Sequence, residues 1–390
     1  MDELAVNQLN TLAKTLKTDA RVKFYNGDLF NVVRAIAPHG RIAALYTKET
    51  FYSCGKAFTE RLKAAGIKPL NFILPENTAL NLENVFDLIG VPDGVRAIVC
   101  FDRRLADVSA YLATIFKIPV VLALKSVETE GILPSKVPFY MGGSLDFFPV
   151  NCAYHVVLPN DENGLSGISE QFISIMSNIT ALTDYKVRLS VCGGKAAKIA
   201  YEAVKSAVLD GFASQKPATL LISGLKIEVA NLATGGAIGY NSADYCFRRL
   251  AGFNLNGGVR LTLIKKLLTL YLLCAEELNV PFKTPDYNAR ARELAVLTKS
   301  DDGVFLQGFM RQINRIKHGK GIEDLKKLFK KEFAVQNDAS LSIEEKYLAL
   351  GGVAEDDFTQ YIKALKHCGD LPNAFNFMTL VREGGFTEYF

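Results

Sequence analysis

The sequence lacks any long hydrophobic run. Its longest apolar stretches, such as residues 267–275, are bounded by Lys and Glu and are much shorter than the roughly 20 residues that a helix needs to span a bilayer. The first residues, Met-Asp-Glu-Leu-Ala, also lack the basic-then-apolar order of a secretory signal. We therefore expect a cytoplasmic protein with no membrane partner.

An excess of charge of one sign is missing too. The chain has 45 Lys and Arg against 41 Asp and Glu, a net charge of +4, and these residues are spread evenly. A nucleic-acid-binding domain normally concentrates basic residues on one face or in one segment. We expect no nucleic-acid partner.

Paired cysteines are absent from the sequence. The seven Cys are an odd number, widely separated, and no two of them have the spacing of a redox motif or of paired metal ligands. This pattern is typical of reduced thiols in a cytosolic protein.

The sequence has ample material for a hydrophobic core, with 49% hydrophobic and 22% charged residues over 390 positions. That length predicts two domains or three. Short β-rich runs alternate with amphipathic helical stretches in the first part, which is typical of a parallel sheet covered by helices. The predicted strands are 41–46, 70–74, 97–101, 119–124 and 155–158. A predicted helix over 105–116 places Leu105, Val108, Leu112 and Ile115 on one face.

The pattern changes beyond residue 160 to long helical periodicities with few β-branched clusters. Predicted helices include 80–89 in the first part and 166–178, 195–209, 218–232 and 258–278 in the second. The Gly- and Pro-rich segment 134–143 is interpreted as part of the connection between domains. The sequence thus predicts an α/β Rossmann-like domain over 1–160 and an all-α domain over 161–390.

The order of these pieces resembles the superfamily of iron-containing alcohol dehydrogenases, glycerol dehydrogenase, glycerol-1-phosphate dehydrogenase and dehydroquinate synthase, and the glycerol-1-phosphate branch most of all. The resemblance covers about residues 20–280. It is carried by strand 41–46, by 107–113 before Ile118-Pro119, by 179–186, by Ser223-Gly224 and by Asn256-Gly257. It implies the dehydroquinate synthase-like two-domain fold, NAD or NADP as cofactor, and a small-molecule ligand in the interdomain cleft of a possible homo-oligomer.

The nucleotide-binding loop of that family departs from its pattern here. The family has a Gly-Gly-Gly turn that lets the backbone approach the pyrophosphate. Counted back from Asp107, the three positions fall on Phe101, Asp102 and Arg103. Arg103 and Arg104, with Asp107, remain as candidate cofactor-binding residues because guanidinium forks match phosphate. Alternatively, both arginines are solvated or pair with Asp102 and Asp107.

The metal site of the family also departs from its pattern. The resemblance implies one Asp and two His ligands that hold a metal, which polarises the substrate oxygen. These three positions fall on Ser174, Asn241 and Asn256, and none of the four His lies between residues 160 and 300. Zinc prefers thiolate or imidazole ligands over neutral oxygens. We therefore expect that the zinc or iron site has been lost.

The family's substrate loop corresponds to Lys125 and residues 128–131, where Glu130 replaces an Asp that reads substrate hydroxyls in the glycerol-1-phosphate branch. Glu130 and Lys125 are thus candidate catalytic residues. Alternatively, this is a surface loop in which Lys125 pairs with Glu128 or Glu130. His155, in an apolar strand, is either a general base or a core or rim histidine.

Two functional hypotheses follow. In the first, the chain is a divergent superfamily member, a pseudoenzyme that binds a ligand or partner without metal-dependent hydride transfer. In the second, it is an active, metal-independent NAD(P)-dependent oxidoreductase for a polyol or polyol phosphate, in which Glu130 orients a hydroxyl and Arg103, Arg104 and Lys125 hold phosphates. Without a Lewis acid, another group must take the alcohol proton. The candidates are Tyr240, Tyr245 and His155. A lyase like dehydroquinate synthase meets the same objections.

Overall fold

A computed structural model describes residues 3–74, 85, 93–141, 144–159, 165–168, 171–172, 174–175, 177–178, 181, 195–214 and 216–236. Contacts between Cα atoms divide the chain into two units, the first comprising Met1–Phe172 and Glu202–Gly236 and the second Ile173–Tyr201 and Ala237–Phe390. The helix predicted at 258–278 and most of the one predicted at 80–89 lie outside the described residues. The all-α domain and its boundary at residue 161 stay predictions.

The first unit is built on a parallel sheet. The strands are β1 (Val22–Asn26), β2 (Arg41–Thr47), β3 (Lys68–Leu74), β4 (Val95–Cys100), β5 (Val120–Ala123), β6 (Lys136–Met141), β7 (Ser144–Pro149) and β8 (Tyr154–Leu158). Six of them pair in the order β1-β8-β5-β4-β2-β3. All five pairings are parallel. The five strands predicted from the sequence, and the α/β Rossmann-like class of this unit, are confirmed.

Helices precede, connect and follow these strands in the described part of the chain. They are α1 (Glu3–Thr15), α2 (Leu29–Ile36), α3 (Lys56–Ala64), α4 (Ala106–Phe116), α5 (Lys195–Ala213) and α6 (Pro217–Ala233). A helical turn, Lys48–Thr50, and a π-helical turn, Phe51–Gly55, precede α3, and a 3-10 turn, Arg103–Leu105, precedes α4. The helices predicted at 105–116, 195–209 and 218–232 are confirmed. On the apolar face predicted for residues 105–116, Leu105, Val108 and Leu112 are buried, whereas Ile115 in the last turn of α4 is 42% exposed.

The core on one face of the sheet combines strand residues with α2 and α3. Tyr46 at the end of β2 is fully buried, and its ring stacks on Phe101 with centroids 4.8 Å apart. Phe58 of α3 packs edge-on against Phe101 at 5.2 Å. These aromatic contacts join the end of β2 and helix α3 to the residue that follows β4.

The segment 134–143 is not simply a connection between domains, which corrects the interpretation from the sequence. Strand β6 lies inside this segment and β7 begins directly after it, and the two strands form an antiparallel sheet. Phe139 is buried, with its ring 4.8 Å from that of Tyr111 on α4. Proline is tolerated in this pair, at Pro138, because both strands of a two-stranded sheet are edge strands.

The open edge of β1 is protected by a side chain of α1. Asn10 Nδ2 donates to the Phe24 carbonyl at 3.0 Å, and Asn10 Oδ1 accepts from the Phe24 N–H at 2.9 Å. One side-chain amide thus satisfies both the N–H and the carbonyl of Phe24 at the edge of β1. Unpaired strand edges favour pairing between chains, so Asn10 reduces that tendency at this residue.

We expect Asn10→Ala to lower the free energy of unfolding by about 1–3 kcal/mol, because it leaves two backbone groups without their partner. Asn10→Asp should also destabilise the protein, because it retains the acceptor for the Phe24 N–H but places a carboxylate oxygen against the Phe24 carbonyl in place of the donor. Urea unfolding measures both values. Equal stabilities for Asn10→Ala and the unsubstituted protein would contradict this role.

Within the part of the chain that the structure describes, no helix combines the length and the apolar character needed to cross a membrane.

The strand order contains one reversal of direction, a switch point, among the described strands of the first unit. Strands β2 and β4 are neighbours in the sheet. From β2 the chain continues to β3 at one edge of the sheet, whereas from β4 it continues to β5 in the opposite direction. Open parallel sheets bind ligands at such a switch point, outside the carboxyl ends of the strands. Here that point lies between β2, which ends at Thr47, and β4, which ends at Cys100.

Candidate functional site

A single carboxylate occupies the switch point between β2 and β4. Asp102 Oδ1 accepts from the backbone N–H of Arg104 and from its Nε, both at 2.9 Å, and Oδ2 accepts from Arg104 Nη2 at 2.7 Å. Thr47 Oγ1 donates to Oδ2 at 3.2 Å. The side chain of Asp102 is only 10% exposed. Four donors therefore converge on one largely buried anion that belongs to the chain itself.

The environment of Asp102 favours its ionised form. Burial raises the pKa of this carboxyl, but the hydrogen bonds and the charge of Arg104, with the hydroxyl of Thr47, outweigh burial and hold the pKa below its ordinary value. Hydrogen bonds to the charged form lower a carboxyl pKa in this way. Asp102 is therefore an anion throughout the neutral range.

Thr47 is held in place by the turn that follows β2. Its backbone N–H donates to Thr50 Oγ1 at 2.9 Å, and its Oγ1 accepts from the Thr50 N–H at 3.3 Å. This reciprocal arrangement is a capping box. The Thr47 hydroxyl is therefore positioned independently of Asp102.

Arg103 turns to the loop that follows β5. Its Nε lies 3.6 Å from Glu128 Oε2 and its Nη1 4.0 Å from Glu130 Oε2. Nη1 also donates to the Glu130 carbonyl at 3.4 Å. The pairing expected from the sequence thus applies to Arg104, which pairs with Asp102, whereas Arg103 pairs with the two glutamates. Lys125 of the same loop is exposed.

Asp107, the third candidate cofactor-binding residue, lies in the first turn of α4. Its charge contributes to raising the pKa of Cys100 and of Tyr154, although burial is the largest cause for both. The pKa of Cys100 rises to about 11. Cys100 is thus a protonated core thiol at neutral pH.

The loop after β5 is fastened to the rest of the first unit by three buried polar side chains. We call Thr129, Gln171 and Glu228 the polar latch. Gln171 Oε1 accepts from the Thr129 N–H at 3.0 Å, and its Nε2 donates to Thr129 Oγ1 at 3.1 Å and to the Leu220 carbonyl at 3.4 Å. Glu228 Oε2 accepts from the Leu133 N–H at 3.3 Å. The latch fixes both ends of the segment that carries Glu130.

Gly224 of α6 gives the polar latch its space. A Cβ atom on this residue would overlap both Gln171 Nε2 and Thr129 Oγ1. The Ser223-Gly224 pair, which the sequence offers only as a point of resemblance, therefore marks a close approach between helix and loop. The partners Thr129, Gln171 and Glu228 were missed because they lie 42 and 95 residues from the groups they bind.

The expected metal-ligand positions are described only at Ser174, in the second unit. Ser174 is buried, and its carbonyl accepts from Ser177 Oγ at 2.7 Å and Asn178 Nδ2 at 2.8 Å. Asn241 and Asn256 lie outside the described residues. Among the residues that are described, no three His, Cys, Asp or Glu side chains form a group able to hold a metal ion. The loss of the metal site stays a prediction.

His155 of β8 is partly buried and pairs with the neighbouring edge strand. Its Nδ1 lies 2.7 Å from the hydroxyl of Tyr25. Burial lowers the pKa of His155, and the nearby Lys23 ammonium lowers it further. The imidazole of His155 is therefore uncharged at neutral pH.

This environment predicts a pH dependence of stability. Because the folded pKa of His155 lies below its unfolded value, its contribution is present above about pH 6.5 and is lost as the pH falls through the folded pKa. We expect His155→Gln to lose less stability than the unsubstituted protein between pH 7.5 and 5, measured by urea unfolding at each pH. Parallel pH profiles for the two proteins would contradict the assignment.

No protein-family model and no curated protein matches the sequence. The chain is similar to solved structures. Maleylacetate reductase from Agrobacterium tumefaciens is 14% identical over 93% of this chain and 94% of that one, with a TM-score of 0.55. The reductase from Rhizobium sp. strain MTP-10005 is 14% identical over 93% and 94%, with a TM-score of 0.53. The iron-containing alcohol dehydrogenase from Thermotoga maritima is 11% identical over 93% and 97%, with a TM-score of 0.53. The chain thus shares the fold of these proteins, and the resemblance is confirmed at that level.

Proposed function

We propose that this chain is a pseudoenzyme, which retains the fold of the iron-containing alcohol dehydrogenases and binds a small molecule or a partner without metal-dependent hydride transfer. The observation that carries the proposal is the pairing of both candidate phosphate-binding arginines with carboxylates of the chain. Arg104 pairs with Asp102, and Arg103 with Glu128 and Glu130.

A dinucleotide does not fit the carboxyl edge of the sheet in this arrangement. Its pyrophosphate would meet the ionised carboxylate of Asp102 where the related family has glycine backbone, and like charges in a partly buried site repel strongly. Glu128 and Glu130 add negative charge on the other side of Arg103. NAD or NADP, which the resemblance implies, would have to displace both sets of pairs.

The residues at the metal positions support the same proposal. A hydroxyl at Ser174 and amides at Asn241 and Asn256 offer neutral oxygens, which are poor ligands for zinc. Without a Lewis acid, the oxidation of an alcohol needs another means of stabilising the developing alkoxide.

Thermal unfolding with NAD, NADP and their reduced forms, each with and without zinc, tests the proposal. A ligand at 100 times its Kd stabilises a protein by about 2.7 kcal/mol, which shifts the midpoint of a chain of this size by a few degrees. We expect no shift with any of them, and no nucleotide reduction with glycerol or glycerol phosphates.

Turnover that requires zinc would overturn the proposal. Turnover without zinc, together with a shift by NAD or NADP, would establish the metal-independent oxidoreductase instead. In that case Glu130→Gln and Lys125→Ala should each reduce the turnover, because these residues would contact the substrate. Unchanged turnover in both variants would remove them from the site.

A further inference from the structure

We propose that the Asp102 carboxylate is an intramolecular occupant of an anion site, and that its removal exposes a phosphate-binding site formed by Arg104 and Thr47. This inference rests on the proposed function, since it explains why the edge of the sheet would not accept a nucleotide.

The donors around Asp102 are those that bind phosphate oxygens. They comprise two guanidinium nitrogens of Arg104, its backbone N–H and the hydroxyl of Thr47, at 2.7–3.2 Å from the carboxylate oxygens. A guanidinium fork binds carboxylate and phosphate with the same bidentate geometry. The four donors also lie at the switch point, where ligands of open parallel sheets bind.

The occupant is tethered next to its donors. Asp102 is two residues before Arg104, so the chain itself holds the carboxylate at a high effective concentration. A free phosphate must compete with this intramolecular anion and also approach its charge. The unsubstituted protein should therefore bind inorganic phosphates weakly.

Thr47 keeps its other support when Asp102 is removed. The capping box with Thr50 holds Thr47. Glu49 Oε2 lies 3.9 Å from Arg104 Nη2, but its side chain is 75% exposed, so this ion pair holds Arg104 only weakly. Arg103 is engaged elsewhere, by Glu128 and Glu130.

Isothermal titration with inorganic pyrophosphate tests the proposal on the full chain. We expect Asp102→Gly to bind pyrophosphate with a Kd at least about tenfold below that of the unsubstituted protein, since pyrophosphate no longer competes with the Asp102 carboxylate for the guanidinium of Arg104. Arg104→Ala in the Asp102→Gly background should abolish the gain. Arg103→Ala in the same background is the matched control, and it should preserve the gain.

Equal pyrophosphate affinities for the unsubstituted protein and Asp102→Gly would overturn the inference. If Asp102→Gly is unfolded, Asp102→Ser decides, because its shorter side chain removes the charge and vacates the guanidinium fork, while its hydroxyl can still accept from the Arg104 N–H. A folded Asp102→Ser protein that gains no pyrophosphate binding would also overturn it. Polyol turnover by the unsubstituted protein would instead overturn the proposed function, and the titration does not depend on that result.

Discussion

Replacing Gly224 by Ala is expected to lower the free energy of unfolding by about 3 kcal/mol or more. The added methyl group would overlap Gln171 Nε2 and Thr129 Oγ1, and overpacking a core costs about 1–3 kcal/mol. Separating these side chains would also strain buried hydrogen bonds, each unsatisfied group costing about 1–3 kcal/mol. Urea unfolding followed by circular dichroism measures the change.

The sign of the change is diagnostic, because Gly224 lies inside α6. In a solvated helix, the same substitution stabilises by about 1 kcal/mol. Lys226→Ala provides a control on the same helix, since Lys226 pairs with Asp210 at 3.2 Å near the surface and should contribute less than about 1 kcal/mol. A Gly224→Ala protein as stable as the unsubstituted one would contradict the close approach of α6 to the loop.

A double-mutant cycle localises the effect. Gln171→Ala removes one of the two groups that the new methyl would overlap, so Gly224→Ala should cost at least about 1 kcal/mol less in that background. Additive effects of the two substitutions would show that the overlap with Gln171 does not contribute, and would leave Thr129 Oγ1 as the group that the new methyl strains.

The central strands could be predicted because their burial leaves a local signal. Residues of β5 and most of β2 and β4 are buried on both faces, and such strands appear in a sequence as continuous apolar runs. Strand β1 could not be found in this way. Its Lys and Tyr residues alternate with Val and Phe, and its edge is completed by Asn10, a residue of α1 whose role depends on the folded arrangement.

The site was only partly predictable for a related reason. Arg103, Arg104 and Glu130 lie in short segments after β4 and β5, and their proximity follows from the order of parallel strands. The choice of partners does not follow from the sequence, since Arg103 reaches residues 25 and 27 positions away, Glu128 and Glu130, rather than the nearer Asp102 or Asp107. Pairing among several nearby charges is decided by side-chain geometry.

Gln171→Glu is expected to destabilise the protein in a pH-dependent way. The new carboxyl would be nearly isosteric and could still accept from the Thr129 N–H, but it would lose the donor to the Leu220 carbonyl. Position 171 is 1% exposed, so burial would raise the pKa of the introduced carboxyl. We expect a loss of about 2–4 kcal/mol at pH 7.5 relative to the unsubstituted protein.

The pH dependence separates the buried charge from the lost hydrogen bond. Because the folded pKa of the new carboxyl would exceed its unfolded value of about 4.3, the protonated side chain costs least below that pH, and the loss grows as the pH rises. Gln171→Met cannot titrate, so its loss relative to the unsubstituted protein should be the same at pH 5 and pH 7.5. If Gln171→Glu also shows equal losses at the two pH values, water reaches the latch, and Gln171 does not fasten the loop of Glu130 through a buried contact.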